Sequence, residues 1–75
     1  MKKDIYTAAL DWYYDHASEY DHDELESATP VAFCIDAMDE EGYDLGEPGS
    51  WEAVNEAYDD FLADPERPTY AKNLK

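Results

Sequence analysis

The chain has 75 residues, room for one small domain and not for a second core. Apolar residues make up 44% and 11 residues are aromatic, too much apolar matter for a disordered acidic tail. The 20 Asp and Glu face only 5 Lys and Arg, for a formal charge of −15, which excludes phosphate-seeking nucleic-acid binders and ligands of anionic membrane surfaces.

The first periodic segment runs from about Asp4 to Tyr20. Ile5, Ala9, Trp12, Tyr13, His16 and Tyr20 share one side of a helical wheel, while Asp4, Asp11, Asp15 and Glu19 lie across from them. Asp4 suits the helix N-terminus. Residues 21–28 are polar and predict a loop or a single turn. Thr29-Pro30 predicts the next helix start, with Thr29 as N-cap, and Gly42 is its left-handed terminator after about Glu41. Val31, Cys34, Ile35 and Met38 form its apolar stripe; Asp36, Asp39 and Glu40 lie opposite, joined there by Phe33.

Residues 42–49 are dense in Gly and Pro and predict a loop. Ser50 is the expected cap of a third helix, Trp51 to Ala63. Trp51, Val54, Tyr58, Phe61 and Leu62 form its apolar face, with Glu52, Glu56, Asp59 and Asp60 opposite. Pro65 and Pro68 close it, and residues 64–75 form an extended tail from which Tyr70 and Leu74 dock on the body. The expected fold is all-α, a small three-helix bundle in a single domain, and at this size a homodimer is an option.

The placement of charge says more than its total. Lys2, Lys3, Arg67, Lys72 and Lys75 sit at the two ends, and no Lys or Arg lies between Asp4 and Glu66. The body thus forgoes i,i+4 ion pairs and repels itself. Asp11, Asp15 and Glu19 are spaced four apart, as are Glu52, Glu56 and Asp60. Neighbours in such a row are about 6 Å apart along the helix axis. Phosphates along one DNA strand are roughly 6–7 Å apart through space, so the rows approach the pitch of a phosphate backbone. Twenty carboxylates also carry the charge of about ten base pairs.

A small helical body coated in carboxylates over residues 4–66 resembles the phage-encoded DNA-mimic inhibitors, the anti-restriction and anti-CRISPR type, in size, charge and helicity. The resemblance implies a stoichiometric inhibitor that occludes the DNA groove of a restriction enzyme, a CRISPR effector or another nuclease. Its partner would be a basic DNA-binding protein of the host. Asp11, Asp15, Glu19, Asp36, Asp39, Glu40, Glu52, Glu56, Asp59 and Asp60 are the expected partner-binding residues, pairing with Lys and Arg. Tyr14 and Phe33 would add aromatic anchors within that field, or else pack against the tail or a dimer partner.

Other readings share the electrostatics: an acidic antitoxin that neutralises one basic protein, or a salt-adapted acidic domain without a partner. Asp44-Leu45-Gly46 before Ser50 is similar to the prosthetic-group segment of acyl carrier proteins, but the Ser is misplaced. Asp36 to Glu47 has the length of a calcium loop, but Met38 and Gly42 occupy the wrong positions. His16 and His22 match no metal-site spacing, and Cys34 on an apolar stripe reads as a buried thiol. No enzyme, cofactor or metal is therefore expected. The longest uncharged stretch, Ser27 to Ile35, is too short to span a bilayer, and Met1-Lys2-Lys3-Asp4 is no apolar leader. The expected location is the cytoplasm, that of the bacterial host for a phage-encoded chain.

Overall fold

The computed structural model describes residues 3–68. Four α-helices lie among them: α1 (Ile5–His16), α2 (His22–Glu26), α3 (Thr29–Glu40) and α4 (Ser50–Ala63), with a 3-10 turn, Ala17–Glu19, after α1. The chain is an all-α bundle: α1, α3 and α4 are the three long helices that periodicity predicts, and α2 is a single added turn.

α1 starts after Asp4, which is extended at the N-cap position but makes no side-chain capping bond. The helix does not continue to Tyr20. His16 adopts φ −110° and ψ 7°, and the chain tightens into the 3-10 turn before Tyr20 becomes extended. Asp21 then starts α2 with a capping box. Its carboxylate accepts the Glu24 N–H at 2.9 Å, and the Glu24 carboxylate accepts the Asp21 N–H at 3.1 Å.

Two expected caps sit one residue earlier than the sequence suggests. Thr29 is the first residue of α3, and Ala28 at φ 59° is its cap. Ser50 is the first residue of α4, and Gly49 at φ 88° is its cap. In both cases a left-handed residue turns the chain sharply into the helix, so the hydroxyl is free to bond elsewhere. Ser50 is buried and its Oγ donates to the Asp44 carbonyl at 3.2 Å, which pins the α3–α4 loop. Thr29 Oγ1 meets Ser27 Oγ at 2.9 Å. The end of α3 follows expectation: Gly42 at φ 95° lets its N–H reach the Asp39 carbonyl while Tyr43 N–H reaches that of Met38.

α1 packs most extensively on α4, and α3 closes the core against both. Ala9, Ala17 and Ala57 keep the backbones close, and Tyr13, Cys34, Met38, Val54, Tyr58 and Phe61 fill the space between. The Tyr13 ring lies 5.1 Å from that of Tyr58 and 5.9 Å from that of Phe61. Burying a side chain of this class contributes about 2–3 kcal/mol. Both tyrosine hydroxyls find backbone acceptors, Tyr13 at Val54 (3.2 Å) and Tyr58 at Leu25 (2.6 Å). The second bond ties α2 to the bundle. Leu45, in the α3–α4 loop, is buried against the same core.

One expectation of the sequence fails at the rim. Trp51 does not join the core: it is 57% exposed at the start of α4, where the apolar stripe is taken over by Val54, Ala57, Tyr58 and Phe61. Tyr14 takes the packed alternative: it is half-buried, its ring edge-on to Phe61 at 5.1 Å and its hydroxyl bonded to Asp64 at the start of the tail. Phe33 is exposed as expected, with its ring 6.2 Å from Tyr20. The segment after α4 is extended at Asp64 and then turns instead of running on as the expected extended tail. Glu66 N–H bonds the Asp64 carboxylate, and Arg67 returns to the Leu62 and Asp64 carbonyls. The expected docking of Tyr70 and Leu74 lies outside the described residues.

Candidate functional site

No Asp or Glu of the chain is buried. All ten carboxylates singled out from sequence are exposed: Asp11, Asp15, Glu19, Asp36, Asp39, Glu40, Glu52, Glu56, Asp59 and Asp60. The cause is simple: each helix turns its apolar stripe to the common core, so its acidic stripe faces water. The same geometry separates the stripes. Three helices around one core point their outer faces away from one another, so the carboxylates clothe the body instead of forming one flat patch.

The two four-spaced rows fare differently. Glu52, Glu56 and Asp60 all lie inside α4, so that row is uninterrupted. Glu19 falls in the 3-10 turn, which rotates residues further per step, so the row Asp11, Asp15, Glu19 loses register at its last member. Successive i,i+4 positions also drift around a helix, and by Asp60 the α4 row has reached the α1 junction. There Tyr6 donates its hydroxyl to the Asp60 carboxylate. That bond, with burial and the charge of Asp60 behind it, pushes the Tyr6 phenol up to about 12. Tyr14 and Asp64 repeat the arrangement farther along the same seam. The hydroxyl of Tyr14, followed by the backbone N–H of Glu66, holds the Asp64 carboxyl below its ordinary range. Asp15, Glu19, Asp36, Asp39, Glu40, Glu52, Glu56 and Asp59 have no side-chain hydrogen bond or ion pair among the described residues.

The described body measures 41 × 24 × 20 Å. Its 20 carboxylates, all within residues 4–66, therefore average one per about 2 Å of long axis. Duplex DNA carries one charge per about 1.7 Å. Against the acids stand only Lys3 and Arg67 among the described residues. Arg67 is folded back on α4, its guanidinium 5.8 Å from the Phe61 ring centre.

A cleft of about 360 Å³ interrupts the α1 face, lined by Lys3, Ala8, Asp11, Trp12, Asp15, Glu41 and Tyr43. The Lys3 ammonium is bonded to Asp11 there. This bond, then the charge of Asp11 itself, with smaller help from Tyr43 and Asp15, holds the Lys3 proton more firmly than usual. The sequence points to Asp11 and Asp15 but not to Trp12, Glu41 or Tyr43 as their neighbours. Trp12 is assigned by periodicity to the apolar side of α1, and at the edge of that side it is only half-buried and reaches the cleft. Glu41 and Tyr43 arrive from the end of α3 through the Gly42 turn, and nothing local predicts that meeting. A second, shallower groove of about 320 Å³ is lined by Ala28, Val31, Ala32, Ile35, Asp36 and Trp51.

The remaining polar candidates have structural partners. His16 lies with Nδ1 2.9 Å from the Trp12 carbonyl and its ring stacked on Trp12 at 4.2 Å. His22 Nε2 is 3.3 Å from the Glu26 carboxylate. No group of three His, Cys, Asp or Glu suited to a metal occurs among the described residues. Cys34 is fully buried, its thiol pushed up to about 11 by that burial, and its Sγ lies 3.7 Å from the Met38 sulfur. Among the described residues no helix is long and apolar enough to cross a membrane. Comparison with protein families, curated proteins and solved structures gives no match.

Proposed function

We propose that this protein is an acidic DNA mimic that binds a basic DNA-binding protein, such as a restriction enzyme, CRISPR effector or other nuclease, and inhibits it by occluding its DNA groove. The observation that carries the reading is the charge density: about one carboxylate per 2 Å along an elongated body 20–24 Å across, with none of them buried. A cationic groove built to release counterions from duplex DNA meets a comparable field here. The uninterrupted row on α4 is the strip best placed to follow a line of Lys and Arg. Each pair contributes little alone, so binding is a property of the row.

Capture on the immobilised protein from bacterial lysate tests this. Recovery of a DNA-binding protein that duplex DNA releases, and that the combined Glu52→Lys, Glu56→Lys and Asp59→Lys variant fails to retain, supports the reading. Recovery of a single small basic protein, indifferent to duplex, contradicts it and favours a dedicated antidote. Asp59 replaces Asp60 in this variant so that the Tyr6–Asp60 bond, and with it the α1–α4 seam, stays intact.

A further inference from the structure

We infer that the groove between α3 and the start of α4 receives an apolar side chain that the target presents among Lys and Arg, with Trp51 as its anchor. This deepens the proposed function and rests on it for the identity of the target. Five of the six residues that line the groove, Ala28, Val31, Ala32, Ile35 and Trp51, are apolar, and the sixth is Asp36. Ala28 caps α3, and Val31, Ala32 and Ile35 follow on one face of it. Val31 is buried and Ile35 half-buried, while Ala28 and Ala32 are exposed and set only methyl groups there. The gap of about 320 Å³ is small for a ligand pocket but ample for one aliphatic side chain. Trp51 keeps the apolar periodicity of α4 with Val54, Tyr58 and Phe61, all buried, yet is itself exposed. A large exposed aromatic beside an apolar groove has the composition of an interface anchor.

Charge decides what fits. Asp36 edges the groove, Asp39 and Glu40 follow one turn along α3, and Glu52 follows Trp51; all four are exposed. No Lys or Arg lies between Asp4 and Glu66 to offset them. A second copy would bring a charge of −15 and the same acidic rim, so it is repelled. A cationic segment with an apolar tip gains from the rim and from the groove together. Proteins that kink DNA through the minor groove use Arg and Lys and insert an apolar wedge, such as Leu, Met or Phe, between base steps. An indole beside an apolar gap, edged by carboxylates, offers that wedge a counterpart of stacked bases edged by phosphates.

The probe is acetyl-Lys-Arg-Leu-Arg-Lys-amide, with the same peptide carrying Gly in place of Leu as the charge control. The chain has two tryptophans, so the isotope-labelled protein gives two indole N–H signals, which Trp51→Phe assigns. The Leu peptide is expected to shift the Trp51 signal saturably and to bind about tenfold more tightly than the Gly peptide, the scale of burying part of one Leu. Trp51→Ala, or Ala32→Leu filling the gap, should abolish that preference while the helical circular-dichroism spectrum is kept. Equal affinity of the two peptides for the unaltered protein, or a preference that survives both variants, overturns the assignment. So does a Trp51 signal that moves with protein concentration alone, which means a second copy. A Trp51 signal moved by Tyr70→Ala with Leu74→Ala in the free protein means the chain's own tail, and overturns it too. Preference for Leu without capture of any DNA-binding protein would remove the mimic reading and leave the groove. Duplex-sensitive capture with no preference for Leu would do the reverse.

Discussion

Ala28 at φ 59° holds a left-handed conformation that costs an L-residue roughly 1–2 kcal/mol, and it does so at an exposed turn. Ala28→Gly removes that strain, at some cost in chain entropy, and is expected to raise stability by up to about 1 kcal/mol, read from the urea midpoint. The Tyr58 hydroxyl bonded to the Leu25 carbonyl is the tie between α4 and α2. Tyr58→Phe should cost about 1 kcal/mol and increase hydrogen exchange in α2 before the other helices. Cys34 makes a pH prediction. Its folded-state pKa, about 11, lies above the unfolded value, so the stability linked to its proton is complete below about pH 9 and is lost as pH rises through 11. Buried Tyr13 is shifted in the same direction, chiefly by burial. The urea midpoint should therefore fall between about pH 9 and 11, and less steeply in Cys34→Ala.

At the scale of elements, α4 is the anionic strip with its register intact. Single Ala changes at Glu52, Glu56 or Asp59 are expected to weaken target binding by less than about fivefold each, while reversing all three should abolish it with the helical circular-dichroism spectrum unchanged. Adding Asp60→Lys should also lower stability, because Tyr6 loses its acceptor. The three long helices were legible because amphipathic periodicity depends only on which residues must avoid water. Their ends were less so. Thr29 and Ser50 look like caps, yet a preceding left-handed residue performs the turn in each case, and the hydroxyls bond elsewhere, Ser50 to the Asp44 carbonyl and Thr29 to Ser27. The break after His16 has no signal in the four-spaced acids either, and it is what takes Glu19 out of its row. The exposure of the ten acids was readable one by one. The cleft was not, since it depends on the Gly42 turn bringing Glu41 and Tyr43 to α1.

The whole molecule is an elongated polyanion held together by a small aromatic core. With only Lys3 and Arg67 to offset 20 carboxylates in the described body, self-repulsion opposes folding. Raising salt from about 10 mM to 150 mM shortens the screening length from about 30 Å to 8 Å, so the melting temperature should rise over that range. A melting temperature independent of ionic strength would mean that the carboxylates do not feel one another. Mild acid should act similarly until the Asp64 carboxyl, held low by Tyr14, is itself protonated. Its contribution is present above the unfolded carboxylate range and lost as pH falls through the lowered folded value.

Charge alone and a DNA-like arrangement of charge make different demands on a competitor. The decisive measurement is release of the captured target by a 12-base-pair duplex against polyglutamate, compared at equal concentration of charge. We expect the duplex to release the target at a concentration at least about tenfold lower, because a DNA groove recognises spaced phosphates on a cylinder better than a flexible chain of the same sign. Equal release by the two polyanions, or release by neither, would contradict the claim that this surface is bound in place of DNA.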